Sequence, residues 1–275
     1  MRLLDAPANE SQVTHRQRLW LYAFGVLALL FLIFPVFIVF PISFSDSRFL
    51  KFPPEAWSLR WYEHYFTTRE WMLATWVSLR VAFGASILAT VLGVAAAYGV
   101  HLLAGRPGRY LEIVLLLPLM VPLIITAVGV FFVYARVGLI ASVPGLVLSH
   151  TMLALPFVVV TTHAGLKSFD MNLELAARSL GASRLRAFFR VTLPQIRGSV
   201  IAGAVFAFIY ALDEVVVSIF ISGGPNATLT KRMFTALRDE IEPTIAAISA
   251  LLITFSLTVA VIALAIGSRP AQGRG

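Results

Sequence analysis

Asp213 and Glu214 stand side by side in residues 198–221, a run that otherwise carries no charge. A carboxylate in so apolar a run costs about 2.5–3.5 kcal/mol on insertion scales, which makes it a candidate for function by default. At about 1.5 Å per residue, Asp213 lies about 22 Å along the run, in the outer half of a hydrocarbon core about 30 Å thick. Helical spacing puts Phe206, Tyr210, Asp213, Val217 and Phe220 on one stripe. A carboxylate among aromatic rings suits an organic cation, held by ion pairing and by cation–π contact. Tyr210 neighbours both acids, whereas Glu214 points about 100° away from Asp213. The competing readings of such an acid are an ion pair within the protein or its assembly, or a protonated carboxyl.

A second constellation is "LELAARSLGASRLRAFFRVTLPQIRG", residues 173–198. Leu173, Ala176, Ala177 and Leu180 repeat at i, i+3, i+4 and i+7, which predicts one apolar helix face. Glu174 and Arg178 lie four apart on the other face, in the favourable order. Gly181 can end this helix, and Ser183 can cap a second one whose apolar face is Leu185, Phe188 and Phe189. Pro194 closes that turn at the start of the next run. Ala176 and Ala177 leave room for a partner's backbone or a bulky knob. Docking a partner and anchoring the membrane edge are the two uses of such a segment.

Other polar residues give less. His101, His150 and His163 lack metal-ligand spacing and suit packing or interfacial roles, with Ser149 and His150 able to hydrogen-bond between helices. There is no cysteine. No catalytic triad, nucleophile elbow, metal cluster or Gly-x4-Gly-Lys-Ser/Thr phosphate loop is visible, so no catalytic, cofactor or metal site is expected on this chain. Pro118 and Pro122 can kink a helix or free backbone groups toward a cavity. The glycines and alanines of residues 84–99 suit close helix packing.

The elements that must position these residues follow from composition. Hydrophobic residues make up 59% of the 275 and charged residues 13%, with a mean hydropathy of +0.85. Soluble domains are about 25% charged, so the expected solvent is a bilayer. Apolar runs at 19–44, 81–100, 113–135, 137–166, 198–221 and 244–267 predict six spans in an all-α, single-domain chain of residues 1–275. The first run is too long for a signal peptide's core and reads as a retained span. An even count puts both termini on one side. That side carries 13 Lys/Arg against five acids, and the other eight against seven. The first side is therefore expected to be cytoplasmic, with an N-terminal tail at 1–18 and the basic segment at 167–197. The +8 formal charge sits in gaps between apolar runs, which fits a membrane and not nucleic acid. Residues 45–75 face outward; Trp57, Trp61, Tyr62, Tyr65, Trp71 and nearby Trp76 suit the headgroup level. After a Gly-Gly-Pro-Asn turn, Met233, Leu237 and Ile241 predict a short amphipathic helix.

The 173–198 segment resembles the coupling motif of bacterial ABC importer permeases, Glu-Ala-Ala-x3-Gly-x9-Ile-x-Leu-Pro. Ala176, Ala177, Gly181, Leu193 and Pro194 match it, and Val191 stands for the Ile. The motif's Glu position holds Leu175, with Glu174 one residue earlier. The likeness spans about residues 76–266. "SHTMLALPFVVVTTHAGLKSFD" (149–170) and "LDEVVVSIFISGG" (212–224) are similar to the spermidine/putrescine branch. That branch usually has an acid after the second proline, where this chain has Leu123.

The resemblance implies a type I ABC importer permease fold: six spans with two short cytoplasmic coupling helices. It implies a bacterial inner-membrane subunit paired with a homologous permease. Two cytoplasmic ATPase subunits would bind the ATP and Mg, and a periplasmic binding protein would deliver the solute. The coupling residues would be Glu174, Ala176, Ala177, Arg178, Gly181, Leu193 and Pro194. The substrate path would hold Asp213, Tyr210, Phe206, Glu214 and Phe220. A polyamine or related amine is the implied solute, with an amino acid, opine or phosphonate as alternatives. A stand-alone secondary transporter would leave the docking motif unexplained, and no inverted repeat is detectable. A membrane-bound enzyme would need an acid, base or metal constellation that the chain lacks.

Overall fold

Twenty-five residues without a charge make the first helix, α1 (Leu19–Ser43), about 37 Å long at 1.5 Å per residue. Its side chains are apolar all round and point outward, Leu27 at 67% and Phe31 at 78% exposure. In a bilayer that surface is buried in lipid. The computed structural model describes residues 18–103, 105–239 and 241–267; most of the expected N-terminal tail, with Arg2 and Arg16, and Arg269 and Arg274 lie outside them. Two compact units are present.

The first unit holds residues up to His64 together with Glu242–Leu251. After α1, Ser43 accepts or donates at 2.7 Å with the Tyr62 hydroxyl, and Trp61 Nε1 donates to the Ser47 carbonyl at 3.2 Å. These contacts fold residues 44–59 back onto the start of α2 (Arg60–Thr67). Phe49, Phe52 and Trp57 remain exposed, as the headgroup reading expects. Trp61 is buried instead.

The second unit runs from Tyr65 to Ile241 and resumes at Leu252. Tyr65 and Trp71 are buried in it, so these two rings are packed residues and not interfacial ones. Trp71 carries the Arg232 guanidinium over its face at 5.0 Å, which gives the ring a protein partner in place of lipid. The helices are α3 (Arg69–Leu102), α4 (Arg106–Met120), α5 (Leu123–Val137) and α6 (Val143–Lys167). Next come α7 (Met171–Ser179), α8 (Arg184–Ala187), a π-helical turn at Phe188–Thr192, α9 (Leu193–Gln195) and α10 (Arg197–Asp213). The chain closes with α11 (Val216–Ile221), α12 (Leu229–Asp239) and α13 (Thr244–Gly267), whose first two turns belong to the other unit. Among the described residues there is no strand beyond one isolated bridge, Ser45 to Trp57, so the all-α expectation holds.

The core is α3 against α6 and α10. Ala82, Ala85, Ala89 and Ala97 are fully buried, and a Cβ on Gly93 would stand 2.8 Å from the Val158 side chain. Small residues let these helices approach until van der Waals packing and polar contacts hold them, in a solvent that supplies no hydrophobic drive between helices. One such contact is Ser86 Oγ donating to the Ala204 carbonyl at 2.8 Å.

Among the described residues four helices, α1, α3, α6 and α13, are long and apolar enough to cross a membrane, and counting each bent pair as one span gives up to six. The expected span at 113–135 is broken: α4 and α5 meet at 94°, because Pro122 has no N–H to continue the ladder and instead precedes α5 in an extended conformation. The long run at 137–166 divides where Gly138 takes a left-handed φ of 71° and Ser142 Oγ caps α6. The amphipathic helix α12 forms, but it ends before Ile241. It buries Leu229, Thr230 and Ala236, leaving Leu237 and Ile241 exposed.

Candidate functional site

Asp170 opens α7 by accepting the Asn172 amide at 3.0 Å. Gly181 ends it at φ 90°. Its amide donates to the Arg178 carbonyl at 3.0 Å and the Ala182 amide to Ala177 at 3.1 Å, the paired bonds that satisfy a helix C-terminus when the residue after the cap is left-handed. Ser183 then accepts the Arg186 amide and opens α8. The chain does not turn at Pro194. That residue sits in the first turn of α9, where no donor is needed, and the 79° bend into α10 comes at Ile196.

The buried face of α7 is the opposite of the one its apolar spacing predicts. Glu174 is 1% exposed, while Leu173, Leu175 and Leu180 are 46%, 50% and 89% exposed. The reason is hydrogen bonding. Tyr98 Oη donates to Glu174 Oε1 at 2.6 Å, and Thr192 Oγ1 donates to Oε2 at 2.5 Å. The second helix splits its expected face in the same way: Phe188 is buried, its ring 4.6 Å from Tyr98, whereas Leu185 and Phe189 are exposed. Ala176 and Arg178 are exposed and Ala177 is half-buried. Leu193 packs on the buried cluster around Phe188 and Val158, and Pro194 is exposed. α7, α8 and the turn after them thus expose Leu173, Leu175, Leu180, Leu185 and Phe189 together with Arg178, Arg184, Arg186 and Arg190.

The two adjacent acids part company at a break in the helix. Asp213 ends α10, and Glu214 is extended, with ψ at 117°. The Glu214 carboxylate turns forward and accepts the Val217 and Ser218 amides at 2.7 and 3.1 Å, taking two donors that open α11 without partners. Its carbonyl accepts Thr230 Oγ1 at 2.9 Å, and His150 Nε2 lies 3.6 Å from Oε2. Asp213 is exposed. It opens onto a cleft of about 380 Å³ between α10 and α13, lined by Ile209, Leu212, Leu252, Ile253, Ser256, Leu257 and Ala260. Among the described residues its carboxylate makes no hydrogen bond or ion pair.

The aromatic stripe drawn through Asp213 is cut short. Within α10, Phe206, Tyr210 and Asp213 keep helical spacing, with the Tyr210 ring 4.9 Å from Phe157 of α6 and Phe206 exposed. The break at Glu214 takes Val217 and Phe220 off the stripe, and Phe220 packs on the cluster around Leu146 and Leu153. None of the three rings lines the Asp213 cleft. Of the other histidines, His163 faces Glu112 at 2.9 Å, with the His101 ring 6.2 Å away. Among the described residues no group of three or more His, Asp or Glu could hold a metal.

Residues 89–271 match the family described as binding-protein-dependent transport system inner membrane component. The chain belongs to this family. As a permease component it is a transport protein and not an enzyme. It is 30% identical over 241 residues to the spermidine/putrescine transport system permease protein PotC of Haemophilus influenzae, covering 87% of this chain and 93% of that one. It is 29% identical over 241 residues to the putrescine transport system permease protein PotI of Escherichia coli, covering 85% of each. A chain of the bacterial ABC transporter that imports alginate superposes with a TM-score of 0.66 at 13% identity, covering 94% of this chain and 99% of that one. A chain of the inward-facing MetNI methionine ABC transporter gives 0.58 at 16%, covering 70% and 93%. The fold is thus that of ABC importer membrane subunits.

Three residues that sequence reasoning passed over support the sites of this permease. Tyr98 and Thr192 hold Glu174, and Ser218 bridges His150 and Glu214. Tyr98 reads as one more ring in an apolar run, and Thr192 as a spacer inside the motif. The only signal for either was the misplaced Glu174 itself, a carboxylate one position from where the motif has it.

Proposed function

We propose that this permease carries spermidine, putrescine or a related amine across the inner membrane. The observation that carries the reading is the similarity to PotC and PotI over nearly the whole length of each chain. The permease pairs with a homologous subunit to form the path. Two ATPase subunits drive the pair, one of them seated on the exposed surface of α7 and α8 of this chain, and a periplasmic binding protein delivers the solute. Both termini and residues 167–197 face the cytoplasm, on the side where Lys and Arg are concentrated. Asp213 lines the path and offers a counter-charge to an ammonium group, and the aliphatic walls of its cleft suit the methylene chain between amines.

The test is uptake in proteoliposomes holding the complete complex. Labelled putrescine or spermidine should accumulate only with ATP on the ATPase side and the binding protein on the other. ATP-dependent uptake of a different solute, unaffected by excess polyamine, would replace the amine. Orientation is tested with an impermeant thiol reagent on whole cells. It should label Glu55→Cys and leave Arg186→Cys unlabelled, and the reverse pattern would invert the topology.

A further inference from the structure

Glu174 sits in the docking segment but faces away from the docking surface. Its carboxylate is buried, and among the described residues no basic side chain is ion-paired with it. Two hydroxyls replace its water. Tyr98 belongs to α3, five residues before its C-terminal cap, and Thr192 closes the π-helical turn. Each hydroxyl donates to a different oxygen of the carboxylate, at 2.6 and 2.5 Å, so both oxygens are held from elements on either side. π-helical turns shift a helix's register locally and collect at functional sites. Phe188 and Thr192, four residues apart at the two ends of this turn, both point inward: Phe188 onto the Tyr98 ring and Thr192 onto Glu174.

We propose that Glu174 is a positioning residue that couples the docking segment to the transmembrane core. By holding Tyr98 and Thr192 at once, it makes α7, the π-helical turn and the end of α3 move as one piece. Displacement of the docking surface by the ATPase is then delivered to α3, and through its small-residue face to α6 and α10. Without this strut the segment still binds its partner, but part of its motion is lost in slack between α7 and α3. The inference rests on the docking reading given above.

The experiment measures solute uptake and ATP hydrolysis in the same proteoliposomes, with the complete complex. Tyr98→Phe and Thr192→Val each remove one donor and keep the shape. Each should lower the solute moved per ATP by about tenfold, the scale of one hydrogen bond, while complex yield and basal hydrolysis stay normal. Thr192→Ser retains the hydroxyl and should restore the ratio. A parallel fall in yield, uptake and hydrolysis at constant ratio would overturn the proposal in favour of a purely structural role. So would a normal ratio in Tyr98→Phe and Thr192→Val. Leu180→Cys, cross-linked to the ATPase in an otherwise unaltered complex, separates the two readings. A cross-link with an unchanged ratio sinks only the strut, whereas no cross-link removes the docking surface and the strut with it.

Discussion

Oε2 of Glu214 lies 3.6 Å from Nε2 of His150, and both side chains are 1% exposed. Ser218 Oγ sits between them, 3.3 Å from each. The neighbouring acid, Asp213, opens onto a cleft with no polar partner among the described residues. Two carboxylates adjacent in sequence therefore do different work. Glu214 holds a broken helix together, and Asp213 is left available.

That contrast predicts opposite responses. Glu214→Ala strands the Val217 and Ser218 amides in a buried site, at about 1–3 kcal/mol for an unsatisfied group. The purified variant should unfold at clearly lower temperature or come out in poor yield. Asp213→Ala takes away no partner among the described residues and should be no less stable than the parent. Equal stability of the two variants in a thermal unfolding series would dismiss the capping role.

Helix approach along α3 is tested at two glycines. Gly93→Leu would drive its side chain into Val158, where even a Cβ stands only 2.8 Å away. Overpacking of this kind costs about 1–3 kcal/mol. Gly99→Ala meets nothing within 4 Å and should be neutral or slightly stabilising. Detergent unfolding midpoints of the two variants should differ in that order, and a neutral Gly93→Leu would mean that the helices pack further apart.

Much of this was legible in the sequence because hydropathy is additive along a chain. Long apolar runs gave α1, α3, α6 and α13, and Gly181 and Ser183 marked real helix ends. What stayed hidden depends on partners far apart in sequence. Glu174 is buried because Tyr98, 76 residues away, reaches it, and no local period can report that. The leucines expected inside on α7 and at the end of α12 stayed outside for a related reason. In a chain that is apolar nearly everywhere, a leucine stripe does not distinguish the inside from a partner's side. The break at Glu214 cut the aromatic stripe short, and the one at Pro122 divided the run at 113–135.

The exposed leucines of the coupling segment can be tested for binding. Leu180 is 89% exposed between α7 and α8, so an apolar role in the isolated subunit is ruled out by its own environment. Leu180→Asp should leave folding and membrane insertion unchanged and weaken co-purification of the ATPase. Losing one central apolar anchor costs on the order of 2 kcal/mol, or roughly thirtyfold in affinity. Normal recovery of the ATPase with this variant would show that the partner docks elsewhere.

Asp213 carries the sharpest prediction about the solute. A cation about 4 Å from a carboxylate gains between about 1 kcal/mol in bulk water and about 4 kcal/mol near a protein surface. The Asp213 cleft is open on one side, so the lower part of that range applies. Asp213→Asn preserves size and hydrogen bonding while removing the charge. Amine uptake should fall roughly five- to tenfold, matching about 1–1.4 kcal/mol in the rate-limiting barrier, with ATPase recovery and thermal stability unchanged. Asp213→Glu retains the charge and should recover most of the activity. Because the charge is the only feature Asn lacks, the pair of variants separates an electrostatic role from a steric one. Undiminished amine uptake by Asp213→Asn in an intact complex would take this residue out of the path and leave its carboxylate to pair with another subunit.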